Sequence, residues 1–146
     1  RCMALAAAYG AEHGIKIVIK PHGAVTATAA DLLRCLEKVN HPNLGIWYDP
    51  GNIIFYTGRD PMAELEPLLP HITAFTAKDC LGEKQEVMIQ LGKGRVDFTA
   101  LLRRLKQAGF RGPIMVEGGA VGETAAATTK NAHANREFLE AIVARL

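Results

Sequence analysis

Apolar residues fall into two kinds of run along the chain. Short uninterrupted runs, Ile17-Val18-Ile19 and Ile114-Met115-Val116 among them, lack the polar alternation of a half-solvated strand. They predict strands covered on both faces, the habit of a parallel sheet. Longer stretches place apolar residues three and four apart, as in Leu32, Leu33, Leu36 and Val39, and predict amphipathic helices. Four strands are predicted, over Ile17–His22, Gly45–Asp49, Thr73–Asp79 and Ile114–Glu117, each followed by a helical segment. Their starts are spaced by about 28, 28 and 41 residues, the length of a strand, a helix and a return rather than of a hairpin.

Capping residues fix the helix ends. Thr28, with Asp31 three residues on, opens a helix through Asn40. Asp60-Pro61 opens Met62–Leu69, with proline at the first helical position. Asp97 opens Phe98–Ala108, which Gly109 ends. A last helix is predicted over Thr124–Leu146, with Ala132, Phe138, Leu139, Ile142 and Val143 available for packing. At the front, Cys2–His13 reads as a helix closed by Gly14. The longer third interval adds residues 81–94 after the third strand, where an insertion covers a substrate or forms a solvated loop. No linker or low-complexity segment divides residues 1–146, so a single α/β domain is expected.

Composition narrows the partners. With 49% hydrophobic and 22% charged residues among 146, the chain suits a buried sheet. Its 17 Lys and Arg against 15 Asp and Glu are scattered, with no basic stripe for nucleic acid. No apolar run approaches the roughly 18 residues of a membrane span. Cys2, Cys35 and Cys80 form no CxxC pair and no even set, as in a reducing compartment, and the cytoplasm is the expected location. Because Arg1 begins inside a helix-like stretch, the chain reads as part of a longer protein, completed by a missing amino-terminal half or by self-association.

Polar and ionisable residues gather at the carboxyl ends of the four strands: Lys20 and His22, Asp49 and Asn52, Thr76 and Lys78, and Glu117. Residues two apart on a strand face the same side. One choice of inward face therefore collects Lys20, Asp49, Thr76, Lys78 and Glu117 around one mouth, with Trp47 on the wall below Asp49. A (β/α) barrel builds its active site at this end of its strands. Other roles compete with these. Asp49 also suits a turn before Pro50-Gly51, Trp47 suits core packing, His22 suits a loop or substrate contact, and Lys78 suits an ion pair with Asp79.

The order Ile19-Lys20-Pro21-His22-Gly23, Tyr48-Asp49-Pro50-Gly51-Asn52, Ala77-Lys78-Asp79, Leu91 to Phe98, and Gly109 to Pro113 through Val116-Glu117-Gly118 resembles the xylose isomerase-like barrel superfamily, and within it the sugar phosphate isomerase and epimerase group. The likeness covers almost the whole chain and only the second half of that barrel. It implies a (β/α)8 TIM-barrel fold, of which this chain supplies strands five to eight. Such enzymes hold Mn, Mg, Co or Zn with a Glu, an Asp, a His and a Glu on these four strands, and the two Glu residues move protons beside a carbonyl. Asp49 and Glu117 match the second and fourth ligands. Lys20 stands in place of the first Glu and Thr76 in place of the His. An ammonium cannot ligate a cation and a threonine hydroxyl replaces imidazole poorly, so a weak or absent metal site is expected.

By this resemblance the intact barrel is an isomerase or epimerase of a sugar, sugar phosphate or polyol ketone. Glu117 and Lys20 are then catalytic, and His22, Asp49, Asn52, Trp47 and Lys78 contact the substrate. A lyase or dehydratase starting from the same proton abstraction, and a carbohydrate-binding barrel without catalysis, are the alternatives. An apurinic endonuclease needs more His and acidic ligands than the chain offers. The partner expected is a small carbohydrate, not a nucleic acid or a membrane.

Overall fold

A computed structural model describes residues 2–146. Four parallel strands lie side by side in chain order, β1 (Ile17–Ile19), β2 (Leu44–Tyr48), β3 (Ile72–Ala77) and β4 (Ile114–Val116). Six helices surround them: α1 (Cys2–Glu12), α2 (Ala29–Val39), α3 (Pro50–Thr57), α4 (Pro61–Leu65), α5 (Phe98–Gln107) and α6 (Ala125–Val143). Among the described residues, no helix is long and apolar enough to cross a membrane.

Local chemistry sets these boundaries. Thr28 and Asp31 form the reciprocal capping box at the start of α2, the Asp31 amide donating to Thr28 Oγ1 at 3.2 Å and the Thr28 amide to Asp31 Oδ2 at 3.0 Å. Asn40 ends α2 in the left-handed region, and Gly109 ends the segment after α5 with a φ of 80°. The expected helix over Met62–Leu69 is instead α4 followed by a 3-10 turn, Glu66–His71, because Pro67 and Pro70 lack the amide hydrogens an α-helix needs. The last helix stops three residues before the chain end. Helix α3 has no counterpart in the sequence reading, although Asp49-Pro50 carries the same cap and proline signal as Asp60-Pro61.

The two sheet faces differ. Ile46 and Tyr48 on β2 and Phe75 and Ala77 on β3 are fully buried against Leu32, Ile53, Leu68, Phe98 and Leu101 of the helical layer. The alternate residues, Val18, Trp47, Thr76 and Met115, therefore point to the other face. The register pairs Thr76 with Met115 and Trp47 with Ala74, so this second face is continuous across the sheet. Strands β1 and β4 are shorter than expected, which leaves Lys20, His22 and Glu117 just beyond the ladder rather than inside it.

Candidate active site

Each side chain at the strand ends is placed by its backbone. Asp49 leaves β2 and caps α3, its Oδ1 accepting the Asn52 amide at 2.9 Å. Its other oxygen, Oδ2, lies 2.9 Å from the ammonium of Lys20, the residue after β1. Lys20 reaches across to Glu117 Oε2 as well, and Lys78 Nζ holds Glu117 Oε1 at 3.1 Å. The four groups form one chain of alternating charge, Asp49 to Lys20 to Glu117 to Lys78. Glu117 is tied to β3 by its own amide, which donates to the Ala77 carbonyl at 3.1 Å.

The electrostatics follow from burial and pairing. Asp49 is fully buried, and that desolvation pushes its carboxyl above the ordinary value despite the charge of Lys20. Burial pulls Lys20 down, but hydrogen bonds and charge from Glu117 and Asp49 outweigh it and raise the ammonium above its usual range. Burial would lift Glu117, yet the bonds and charges of Lys20 and Lys78 hold its carboxyl below the ordinary glutamate value. The site thus keeps two ammonium groups and an ionised Glu117 in contact, with Glu117 about half-exposed at 47%.

A cavity of about 170 Å³ opens beside these groups, lined by Lys20, Trp47, Thr76, Met115, Val116 and Glu117. Trp47 therefore walls the cavity instead of joining the main core. A larger groove of about 730 Å³ lies at the amino ends of the strands between Lys16, His41 and His71. It sits at the end of the sheet that barrels use for stability.

Three placements differ from the sequence reading. His22 stacks against Tyr56, ring centroids 5.1 Å apart, and does not line the cavity with Lys20. Asn52 is buried and its side-chain amide donates to the Pro21 carbonyl at 2.8 Å, which holds the Lys20-Pro21 turn. Lys78 pairs with Glu117 and not with Asp79. Asp79 is instead fully buried and collects four backbone amides, from Cys80, Gly92, Gly94 and Val96, at 2.8–3.1 Å. The segment after β3 is therefore pinned at its base, and Asn135 of α6 fastens it again by accepting the Leu91 amide at 2.9 Å. The glycines at 92 and 94 were the signal for this clasp: Gly94 has no room for a Cβ beside Asp79.

The family profile described as xylose isomerase-like TIM barrel matches residues 1–142. The chain belongs to this family. The family resemblance extends to an uncharacterised protein of Methanocaldococcus jannaschii, 26% identical over 137 residues that make up 92% of this chain and 44% of that protein. A xylose isomerase domain protein from Planctomyces limnophilus superposes with a TM-score of 0.82 at 26% identity, over 96% of this chain and 51% of the other. D-allulose 3-epimerase from Methylomonas sp., in complex with D-allulose, superposes with a TM-score of 0.75 at 22% identity, over 94% of this chain and 52% of the other. The chain spans about half the length of the proteins it matches.

The divalent metal implied by the family does not fit the donors present. Among the described residues no group of three His, Cys, Asp or Glu side chains could hold a metal ion. Where the carboxylates of Asp49 and Glu117 converge, the Lys20 ammonium already lies against both. A dication entering there would meet a positive charge and gain only two carboxylates.

Proposed function

We propose that residues 1–146 form the second half of a (β/α)8 barrel, and that the protein containing them is an isomerase or epimerase of a small polyhydroxylated carbonyl compound. The observation that carries this reading is Glu117: an ionised carboxylate at a strand's carboxyl end, half-exposed, and oriented by one ammonium on each oxygen. A base for a proton beside a carbonyl has to be ionised, positioned and reachable. The D-allulose bound in the structural relative from Methylomonas supports a ketose as the substrate class.

In this mechanism Glu117 takes the proton from the carbon next to the carbonyl. The electron pair of the broken bond forms the carbon–carbon double bond of an enediolate, and negative charge moves onto the carbonyl oxygen. Lys20 faces that charge. Return of the proton from Glu117 to the neighbouring carbon on the same face, with exchange of the hydroxyl proton between the two oxygens, completes isomerisation; epimerisation requires a second proton donor on the opposite face. Asp49, buried and capping α3, holds Lys20 in place.

Proton NMR in deuterated water, with a panel of ketoses and inososes and the protein expressed at the full length of its coding sequence, tests the reading. Deuterium at the carbon beside the carbonyl without net loss of water is the expected result. Elimination of water would assign the protein to the lyases, and no exchange with any member would leave a binding barrel. Glu117→Gln keeps the side-chain volume and removes the basic lone pair, so exchange should fall by about 10²–10⁴-fold.

A further inference from the structure

Among the described residues, three polar atoms at the carboxyl end of the sheet are buried without a hydrogen-bond partner: Trp47 Nε1, Thr76 Oγ1 and Asp49 Oδ2. The last faces the Lys20 ammonium at 2.9 Å. The other two have no partner, and the side chains that carry them line the same cavity as Lys20 and Glu117. A buried donor left unpaired is costly, so two of them behind the side chains of one cavity are a standing cost that a ligand displacing those side chains would remove.

The chemistry of the wall specifies the ligand. An indole nitrogen donates only, an ammonium donates only, and a threonine hydroxyl can donate. Each nearby acceptor already faces a donor, since each Glu117 oxygen faces a lysine and Asp49 faces Lys20 and the Asn52 amide. The cavity therefore presents donors in excess to whatever enters, and it has room for one end of a small molecule. An oxygen rich in lone pairs satisfies it and a hydroxyl group that must donate does not.

The geometry points to an oxyanion site built from Lys20 Nζ, Trp47 Nε1 and Thr76 Oγ1, which takes the carbonyl oxygen of the substrate where other barrels place a metal ion. This rests on the isomerase reading and names the part of the substrate each group binds. Entry of the oxygen draws Lys20 from Glu117 Oε2, which frees that carboxylate oxygen as the base. As the carbon–hydrogen bond breaks, its electron pair forms the double bond and the carbonyl pair moves to the oxygen held by the three donors. Glu117 keeps the proton until it is returned. No oxidant or co-reactant is required.

The indole resonance of Trp47 reports the site directly. In the full-length protein, Trp47→Phe identifies its nitrogen–proton signal, and D-allulose, D-tagatose and D-fructose are titrated against mannitol, a polyol with no carbonyl. At least one ketose should shift the signal while mannitol does not, and Mn²⁺ alone should leave it sharp. Thr76→Val, which removes a hydroxyl with little change of shape, should weaken ketose binding about tenfold, and Lys20→Met at least as much. Thr76→Val serves as the test where Lys20→Met fails to fold. Stoichiometric broadening of the signal by Mn²⁺, or a signal no ketose moves, would overturn the proposal. Deuterium exchange with an unmoved indole removes the oxyanion site and leaves the isomerase reading; a shifted indole without exchange does the reverse.

Discussion

Glu117 shows how much a single side chain is set by its neighbours. Its two oxygens face two lysines from different strands, and their combined effect outweighs partial burial, so the folded-state pKa falls below the ordinary 4.5. An acid with a depressed folded pKa contributes stability that is present above the unfolded value and lost as pH falls through the folded one. The same sign governs activity: the carboxylate stays a competent base below pH 4.5, and the acid limb of kcat/KM should lie under that value. Lys78→Met removes one of the two cations and should move the limb upward, read from a pH–rate profile of deuterium exchange. An acid limb that Lys78→Met leaves in place would show that the pair does not tune the base. The members of this charge chain were legible in the sequence because each follows an apolar strand. The place of Lys20 follows from the same pattern, since an ammonium between Asp49 and Glu117 balances two converging carboxylates. The pairing of Lys78 was not legible, since it precedes Asp79 in sequence and meets Glu117 only through the β3–β4 register.

Elements hold these side chains in place through close backbone approach. A Cβ on Gly51 would lie 2.6 Å from the Lys78 carbonyl oxygen, so the first turn of α3 is packed directly on the end of β3. Gly51→Ala improves helix propensity by about 1 kcal/mol and still should destabilise the fold by about 1–3 kcal/mol, because α3 must move off the strand end. Urea unfolding measures the balance, and a stabilised variant would show that α3 has slack. Displacement of α3 also moves its cap, Asp49, and with it Lys20. The four strands and the capped helices α2 and α5 could be read from periodicity and local signals, since each depends on residues close in sequence, whereas the side-by-side order of the strands comes from the family resemblance. Helix α3 was missed because eight residues, Pro50–Thr57, are too few to display a period, and the Asp-Pro signal also fits a turn. The clasp of Asp79 depends on amides 13 to 17 residues further on, and the glycines at 92 and 94 mark a close approach there without naming its partner.

At the scale of the whole chain, the sheet has edges at β1 and β4. Met115 and Val116 on β4 are 49% and 43% exposed, and Leu5 and Tyr9 on α1 are exposed further. Open ladders and apolar surface together favour association. The 146-residue chain on its own should therefore self-associate, half-barrel against half-barrel, or unfold without cooperativity, and it should not catalyse exchange. Sedimentation over a concentration series checks this, and a monodisperse monomer with sharp two-state unfolding would show the chain to be self-sufficient.

A lysine between two carboxylates carries its cation on a side chain bonded to the protein. The charge arrives with synthesis of the chain, and neither scarcity of an ion in the medium nor competition from a wrong one can empty the position. It is also a single charge where a metal would bring two, so it stabilises a developing oxyanion less at the same distance. That shortfall gives the unpaired hydrogens of Trp47 and Thr76 their purpose: a site that gives up half the charge gains from neutral donors set around the same oxygen, and its strength is then spread over three side chains rather than held by one ion.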